Sequence, residues 1–234
     1  MDNPVPEDKA RRHYQGDAGR RYHEAKRSLP PTALAWVARL RAEKIACYVR
    51  PSDTVLEYGV GLGWNLAGLS CQRKLGFDLG HFADLSSQGI EFVSDIEAVA
   101  ANSIDVVVCH HTLEHVWQPP VALQPIRRVL RREGTLLLFV PFEKERRYRR
   151  FRRDEPNHHL YSWNVQTLGN LVLESGFQLD SARLGRFGQE RFAARLASRL
   201  GLGEVGFRPL RWIANTLKNE REVRIVARPA ESGS

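Results

Sequence analysis

Three glycines at alternate positions directly follow a short apolar run that contains one acidic residue. Residues 54–63 read Thr-Val-Leu-Glu-Tyr-Gly-Val-Gly-Leu-Gly. Glycine lets a backbone approach a bound molecule closely and permits positive φ in a tight turn. The pattern is typical of a buried parallel strand that turns sharply over a nucleotide-like ligand. It differs from the dinucleotide fingerprint Gly-x-Gly-x-x-Gly, because its last glycine is Gly63 and Trp64 stands where that glycine would fall.

Carboxylates and histidines follow the next apolar runs of the chain. Asp78 follows Lys-Leu-Gly-Phe, Asp95 follows a run that ends in Val-Ser, and a histidine pair begins at His110. A carboxylate at the end of a second strand can accept two hydrogen bonds from a ribose diol. One at the end of a third strand is well placed to accept from an exocyclic adenine amine. In an open sheet of parallel strands, ligands lie beyond the carboxyl ends, so we expect one shared ligand site.

Imidazoles near this edge are candidates for a general base, because histidine titrates close to neutral pH. We select His111 and His159, since both follow predicted carboxyl edges of the sheet. The alternative interpretation, in which neighbouring histidines hydrogen-bond locally and fix the loops, is favoured for His115. For Glu114, the dipole at a helix start is a sufficient explanation. No metal site is predicted, because adjacent histidines are expected to point apart and no carboxylate–histidine spacing supports one.

The elements that must position these groups alternate between strand and helix. Strands are predicted at Thr54–Tyr58, Lys74–Asp78, Gly89–Asp95, Ile104–Cys109, Gly134–Val140, Phe177–Leu184 and Val223–Ala227. Helices are predicted at 31–48, from Trp64 toward Cys71, at Pro119–Arg132, from the N-cap Asn164 to Gly176, and across 188–219. This alternation predicts an α/β fold: an open, mostly parallel seven-stranded sheet with helices on both faces.

Length and charge limit the possible classes of protein. A chain of 234 residues suits one α/β domain with decorations. The net charge of +8 is uneven, and residues 144–153 carry seven basic side chains against one acidic one. Such a run is either an anion site or a solvated surface. Three cysteines without metal spacing, and a polar N-terminus, favour a reducing, cytoplasmic setting. No apolar stretch reaches the length of a membrane span.

Taken together, these motifs resemble class I S-adenosylmethionine-dependent methyltransferases. The matching pieces are residues 55–63, 76–78, 93–96 and 105–116, and residues 132–141 resemble the fifth strand of that family. The similarity is greatest to the broad group with a His-x-Leu-Glu-His segment, and it covers roughly residues 50–180 and a last strand near 222–228. The glycine turn alone would be weak support, whereas four motifs in order are strong support. The resemblance implies a Rossmann-like class I methyltransferase fold.

The resemblance also implies S-adenosyl-L-methionine as the cofactor and assigns its contacts. By this similarity, Glu57 and the backbone of Gly59, Gly61 and Gly63 hold the amino-acid end, Asp78 binds the ribose hydroxyls, Asp95 and the Ile96 backbone meet the adenine, and His110 lies near the sulfonium. The resemblance designates no catalytic residue. A sulfonium is already an activated methyl donor, so alignment of the reactants supplies much of the rate enhancement.

The predicted organisation is an N-terminal arm and lead-in helix at 1–50, followed by a methyltransferase domain at 51–234. Insertions at 142–163 and 188–219 are predicted to form a substrate cap. The predicted acceptor is a small molecule methylated at oxygen or nitrogen, and the basic run favours an anionic one. Whether the chain is a monomer or a homodimer stays open.

Two alternative functions stay open as well. One is a nucleic-acid (RNA) methyltransferase that uses residues 144–153, and the other is a non-catalytic scaffold that binds the cofactor. Against nucleic acid as the partner, no RNA-binding module is visible. The Asn-Pro-Pro-Tyr-like tetrapeptide typical of base amino-methylation is also missing after the fourth strand.

Overall fold

One sheet of seven strands organises the part of the chain that the computed structural model describes, residues 14–17, 19, 21, 29–80, 84–143, 150–152 and 157–231. The strands are β1 (Thr54–Tyr58), β2 (Arg73–Phe77), β3 (Glu91–Val93), β4 (Ile104–His110), β5 (Leu130–Phe142), β6 (Phe177–Arg186) and β7 (Arg221–Pro229). The main helices are α1 (Pro31–Ala46), α2 (Pro119–Val129), α3 (Val165–Glu174), α4 (Glu190–Arg199) and α5 (Gly203–Lys218).

The strands lie in the order β3-β2-β1-β4-β5-β7-β6. Neighbours from β3 to β5 pair in parallel, and only β7 runs antiparallel to both of its neighbours in this sheet. In register, Tyr58 of β1 pairs with Phe77 of β2 and with Cys109 of β4. The predicted mostly parallel, seven-stranded α/β sheet is therefore confirmed, and the loops after β1, β2 and β4 leave from the same edge.

Helices cover both faces of the sheet, as predicted, because consecutive strand residues point to opposite sides. Leu136 and Leu138 of β5 pack in the cluster that contains the apolar sides of α2 and α3. Leu137 and Phe139 pack in the opposite cluster, which contains Ile45 of α1. Burial on both faces explains why the central strands read as continuous apolar runs.

The predicted helix from Trp64 toward Cys71 is wrong, because residues 64–68 form a series of turns. The segment packs closely against α1, since an added Cβ at Gly68 would lie 2.9 Å from the Cβ of Ala42 and 3.4 Å from the carbonyl oxygen of Ala38. This close approach requires a glycine, and glycine disfavours the interior of a helix.

Other element boundaries moved by a few residues. Helix α2 ends at Val129 rather than at Arg132, because Leu130 already pairs with Ile104 of β4. Helix α3 begins after Asn164, whose side chain accepts a hydrogen bond from the Thr167 N–H, as expected of an N-cap.

The segment predicted to be helical at 188–219 forms the two helices α4 and α5. Helix α4 buries its small side chains Ala193, Ala194 and Ala197 against α1 and α5, while Phe192 is exposed. Most of the basic run at 144–153 lies outside the described residues. Among the residues that are described, no helix is both long and apolar enough to cross a membrane.

Candidate active site

The glycine turn after β1 closes tightly over the end of β2. The N–H groups of Gly59 and Val60 both donate to the carbonyl oxygen of Phe77, at 2.8 and 3.0 Å. Gly59, Gly61 and Gly63 all have positive φ, from 51° to 86°. A Cβ at Gly59 would lie 2.1 Å from a side-chain oxygen, that of Thr112 after β4. Glycine is therefore required here both by conformation and by space.

Glu57 lies at the base of this turn and is fully buried. Its Oε1 accepts a hydrogen bond of 2.5 Å from the side-chain amide of Asn65, and its Oε2 has no hydrogen-bond partner among the described residues. Burial raises the pKa of Glu57 to about 8, against the opposing effect of Asn65. A buried acceptor with an unused oxygen suits the α-ammonium group of S-adenosylmethionine, so the residues present fit the cofactor that the resemblance implied.

The two aspartates predicted to bind the nucleoside line the same cleft, which has a volume of about 1570 Å³. The Oδ2 of Asp78 accepts a 2.8 Å hydrogen bond from the Gly61 N–H, so this carboxylate also fixes the glycine turn. The Oδ1 of Asp95 accepts from the Glu97 N–H at 2.9 Å and caps a short 3₁₀ helix that begins at Ile96. The structure thus brings together the turn and the ends of β2 and β3, as predicted.

His110, the last residue of β4, and His111, which follows it, face a buried glutamate. The Nε2 of His111 lies 3.2 Å from the Oε2 of Glu222, on β7. The ammonium of Lys44, on α1, donates to His110 Nε2 at 2.8 Å and to Glu222 Oε1 at 2.9 Å. Arg224 donates to the same glutamate oxygen at 2.8 Å. Glu222 has no exposed surface, and three cationic or imidazole side chains satisfy it.

The expectation that adjacent histidines point apart is wrong for this pair. His111 has φ of 52°, in the left-handed region, which swings its side chain to the same side as that of His110. The two rings stack with centroids 4.4 Å apart, and Phe187 lies 4.2 Å from the ring of His111. This backbone conformation directs both imidazoles into the cleft.

Burial governs the protonation of these groups. It lowers the pKa of His111 despite the opposing hydrogen bond to Glu222, and it lowers that of His110 well below the ordinary value, with a further contribution from the charge of Lys44. Burial alone would raise the pKa of Glu222, but the bond to His111 and the charge of Lys44 outweigh it and hold the pKa at about 2. At neutral pH both imidazoles are therefore neutral beside an ionised carboxylate.

A second group of polar side chains lies on the other side of the cleft. Glu114 was expected to sit at an ordinary helix start, but its side chain is only 1% exposed. The Nε2 of His115 lies 3.7 Å from its Oε1, and the Nδ1 of His115 lies 2.7 Å from the hydroxyl of Tyr14. His159, a predicted base, has its Nδ1 2.7 Å from the Oε1 of Glu143. The rings of His115 and His159 have centroids 4.8 Å apart.

Sequence reasoning missed the groups that reach the site from distant elements. These are Lys44 on α1, Asn65 after the glycine turn, Glu143 after β5, Glu222 on β7 and Tyr14 in the N-terminal segment. One signal was available in the sequence: Glu222 is an acidic residue directly before Val223, Ile225 and Val226, the apolar residues of the final strand. The other four sit in ordinary helical or loop contexts and carry no local signal.

Comparisons with known proteins agree with this geometry. Residues 21–182 match the model of a family described as a methyltransferase domain. No curated protein matches the chain significantly.

Solved structures share the fold. One is the 1,6-didemethyltoxoflavin-N1-methyltransferase of Burkholderia thailandensis, with bound 1,6-didemethyltoxoflavin and S-adenosylhomocysteine (TM-score 0.63, 14% identity, 99% of this chain and 94% of that one). Another is a putative methyltransferase in complex with the Trm112 activator of Haloferax volcanii (TM-score 0.60, 14% identity, 96% and 99%). A third is the [4+2]-cyclase SpnF (TM-score 0.58, 17% identity, 83% and 81%).

The family match covers more than half of the chain and includes the glycine turn and the first five strands of the sheet. The Oε2 of Glu57, which no described residue hydrogen-bonds, adds an acceptor suited to the amino group of the methyl donor. The chain belongs to the methyltransferase-domain family and is an S-adenosyl-L-methionine-dependent methyltransferase with the class I, Rossmann-like fold.

Proposed function

We propose that this enzyme methylates a small molecule at oxygen or nitrogen, and that His111 is the general base when the acceptor is a hydroxyl. The observation that carries the proposal is that His111, which lines the same cleft as the glycine turn, has its Nε2 3.2 Å from the fully buried carboxylate of Glu222. An imidazole backed by a carboxylate is the arrangement that general-base catalysis uses most often.

The cofactor half of the proposed site is built from the first three strand ends. Glu57 would receive the ammonium, and the glycine turn would lie along the amino-acid end of the donor. Asp78 would accept from the ribose hydroxyls, and Asp95 with the Ile96 backbone would meet the adenine. His110, held by Lys44, would form the wall beside the sulfonium. When bound, the cofactor supplies an activated methyl group on its sulfur.

His111 would act on the acceptor side of that wall. Its lowered pKa keeps the imidazole neutral at pH 7, so the ring can take a proton from an acceptor hydroxyl. The ionised Glu222 fixes the ring orientation and stabilises the imidazolium that forms. An amine acceptor that is neutral when it reacts would need less help, because it can release its proton afterwards.

The acceptor half of the cleft favours a small, planar molecule. Tyr14, Trp117, Phe142 and Phe187 line it, together with His115 and His159. Aromatic walls contact flat rings well. Tyr14 comes from the N-terminal arm, Phe142 and His159 come from the predicted insertion at 142–163, and the insertion at 188–219 adds Phe192 to the lining. We propose these three segments as the substrate cap. An anionic acceptor stays a prediction, because residues 144–149 and 153 of the basic run lie outside the described part of the chain.

The test is a transfer assay with labelled S-adenosylmethionine, a panel of hydroxylated and amino small molecules, and tRNA and DNA as competing acceptors. We expect label to enter a small molecule. Transfer to nucleic acid alone would favour the RNA alternative, and no transfer to any acceptor despite cofactor binding would favour the scaffold. Either result contradicts the proposal.

The role of His111 is tested by His111→Asn, because asparagine tolerates the left-handed backbone at this position. We expect kcat for a hydroxyl acceptor to fall about 10²- to 10⁴-fold with cofactor affinity unchanged. The matched control is His158→Asn, since His158 is exposed and has φ of 49°. If the two variants have equal activity, His111 is not the base.

A further inference from the structure

A cluster of two imidazoles and two carboxylates lies in the acceptor half of the cleft and is not used by the proposed methyl transfer. Glu114, His115 and His159 each place one nitrogen or oxygen within 4.8 Å of the other two. Tyr14 and Glu143 hold the two histidines from behind. No spacing rule joins these residues, because His159 is brought to the others by the fold.

The connection between the two segments is made by backbone hydrogen bonds. The N–H groups of Leu160 and Tyr161 both donate to the carbonyl oxygen of Glu114, at 2.9 and 3.2 Å. This contact fastens the segment that carries His159 onto the 3₁₀ helix Leu113–His115. The cluster is therefore set by the backbone of both segments rather than by flexible side chains alone.

Each histidine is oriented through its Nδ1. The hydroxyl of Tyr14 lies 2.7 Å from the Nδ1 of His115, and the Oε1 of Glu143 lies 2.7 Å from the Nδ1 of His159. When another residue hydrogen-bonds to one ring nitrogen of a histidine, it fixes the tautomer and raises the basicity of the other ring nitrogen. Histidines that ligate a metal are usually held in this way. The side chain of Glu143 is only 8% exposed and contacts the His159 ring directly.

We propose that Glu114, His115 and His159 bind a divalent transition-metal cation that orients an oxygen of the acceptor. Two imidazoles and one carboxylate suit Zn²⁺, Co²⁺ or Mn²⁺ and leave coordination positions open for a substrate oxygen. Bonds of about 2.0–2.2 Å allow two ligands to lie up to about 4 Å apart, so the cluster closes by side-chain shifts of about 1 Å. The orienting role rests on the proposed function, whereas cation binding does not.

Metal binding is measured first, without any acceptor. The protein is treated with chelator, dialysed and titrated with Zn²⁺ and Mn²⁺ by calorimetry, and with Co²⁺ by visible absorption. We expect one equivalent of cation per chain and, for Co²⁺, absorption bands of a nitrogen- and oxygen-ligated ion. If none of the three cations binds at about 0.1 mM, a concentration far above that needed for a functional site, the proposal is overturned.

Variants locate the site. Glu114→Gln and His159→Ala should each weaken binding at least about 10-fold, and Glu143→Gln about 10- to 100-fold because it acts through His159. His158→Asn, next in sequence but exposed, should bind like the unaltered protein. Binding of S-adenosylmethionine by each variant verifies that it is folded. Equal cation affinity in Glu114→Gln and in His158→Asn would show that the metal binds elsewhere.

The orienting role is measured last. Chelated enzyme should still bind S-adenosylmethionine but should lose most of its transfer to a hydroxyl acceptor, and added cation should restore that transfer. Full activity of the chelated enzyme would overturn the orienting role. Failure of the proposed function is distinguishable, because an enzyme without small-molecule transfer can still bind the cation.

Discussion

Among single residues, Glu57 connects the sequence motif to the chemistry of the donor most directly. Its carboxylate is buried beneath the glycine turn with one oxygen bonded to Asn65 and the other without a partner among the described residues. Before the cofactor binds, the raised pKa of about 8 means that the carboxyl of Glu57 is mostly protonated at pH 7. An ammonium placed against it favours the ionised form.

Cofactor binding should therefore release a proton from Glu57. At pH 7 we expect the calorimetric enthalpy of S-adenosylmethionine binding to vary with the ionisation enthalpy of the buffer, with a slope that approaches about one proton released per chain. The slope should decline above pH 8, where the Glu57 carboxyl is already ionised before the cofactor binds.

Glu57→Gln supplies the control for this measurement, because an amide of the same shape cannot release a proton. The variant should bind the cofactor more weakly and should show no buffer dependence. The same proton release in the variant and in the unaltered protein would mean that another group is titrating.

Among the elements, the turn after β1 depends on its contact with the loop after β4. Gly59 has φ of 86°, and an added Cβ would lie 2.1 Å from the Oγ1 of Thr112. Gly89 has φ of 69°, but no heavy atom of the described part of the chain lies within 4 Å of an added Cβ. The two positions therefore separate backbone strain from steric overlap.

Gly89→Ala should cost about 1–2 kcal/mol of the free energy of unfolding, from the left-handed backbone alone. Gly59→Ala should cost about 1–3 kcal/mol more because of the overlap with Thr112, and it should abolish cofactor binding. Denaturant unfolding and calorimetry measure both effects. Equal destabilisation by the two variants would contradict the packing described for this turn.

Helix α1 is tied to β7 by the buried ion pair of Lys44 and Glu222, 2.9 Å apart. The pKa of Glu222 in the folded protein is about 2, below its ordinary value of 4.5. A carboxyl with a lowered pKa stabilises the fold above its unfolded pKa, and this stability is lost as the pH falls from 4.5 toward 2.

Glu222→Gln should therefore destabilise the protein by about 3–5 kcal/mol at pH 7, because it leaves the buried charge of Lys44 without its partner. The loss should shrink as the pH falls toward 3. Unfolding by denaturant at both pH values measures the change. Glu231→Gln, in the exposed pair with Arg132, is the control and should have no measurable effect. A loss from Glu222→Gln that does not depend on pH would contradict the assigned pKa.

For the whole molecule, the sequence pattern predicts the features that neighbouring residues determine, such as the buried strands and the residues at their ends. Five strands are parallel, and the central ones, β1, β4 and β5, are buried over most of their apolar residues. Their apolar runs could therefore be recognised, and Asp78 and Asp95 could be placed after the ends of β2 and β3. Lys44 and Glu222 meet across 178 residues of sequence, and no spacing rule joins them. The stacking of His110 on His111 depends on the left-handed backbone conformation of His111, and nothing in the local sequence predicts that conformation.

The acceptor side of the molecule was predicted least well for the same reason. The cluster of Glu114, His115 and His159 exists because a loop after β5 is fastened across the end of β4. From the sequence alone, Glu114 was explained by its position at a helix start, and His115 by local hydrogen bonds that fix the loop. Tertiary contacts decide the chemistry of such residues, and fold alone does not specify the substrate.

The most direct test of the central claim is a crystal structure with S-adenosylhomocysteine bound. We expect its amino group against Glu57, its ribose on Asp78 and its adenine beside Asp95. The imidazole of His111 should then face the space vacated by the methyl group, with room between them for a small acceptor. A cofactor bound away from the glycine turn, or a His111 ring walled off from the sulfur, would contradict the account.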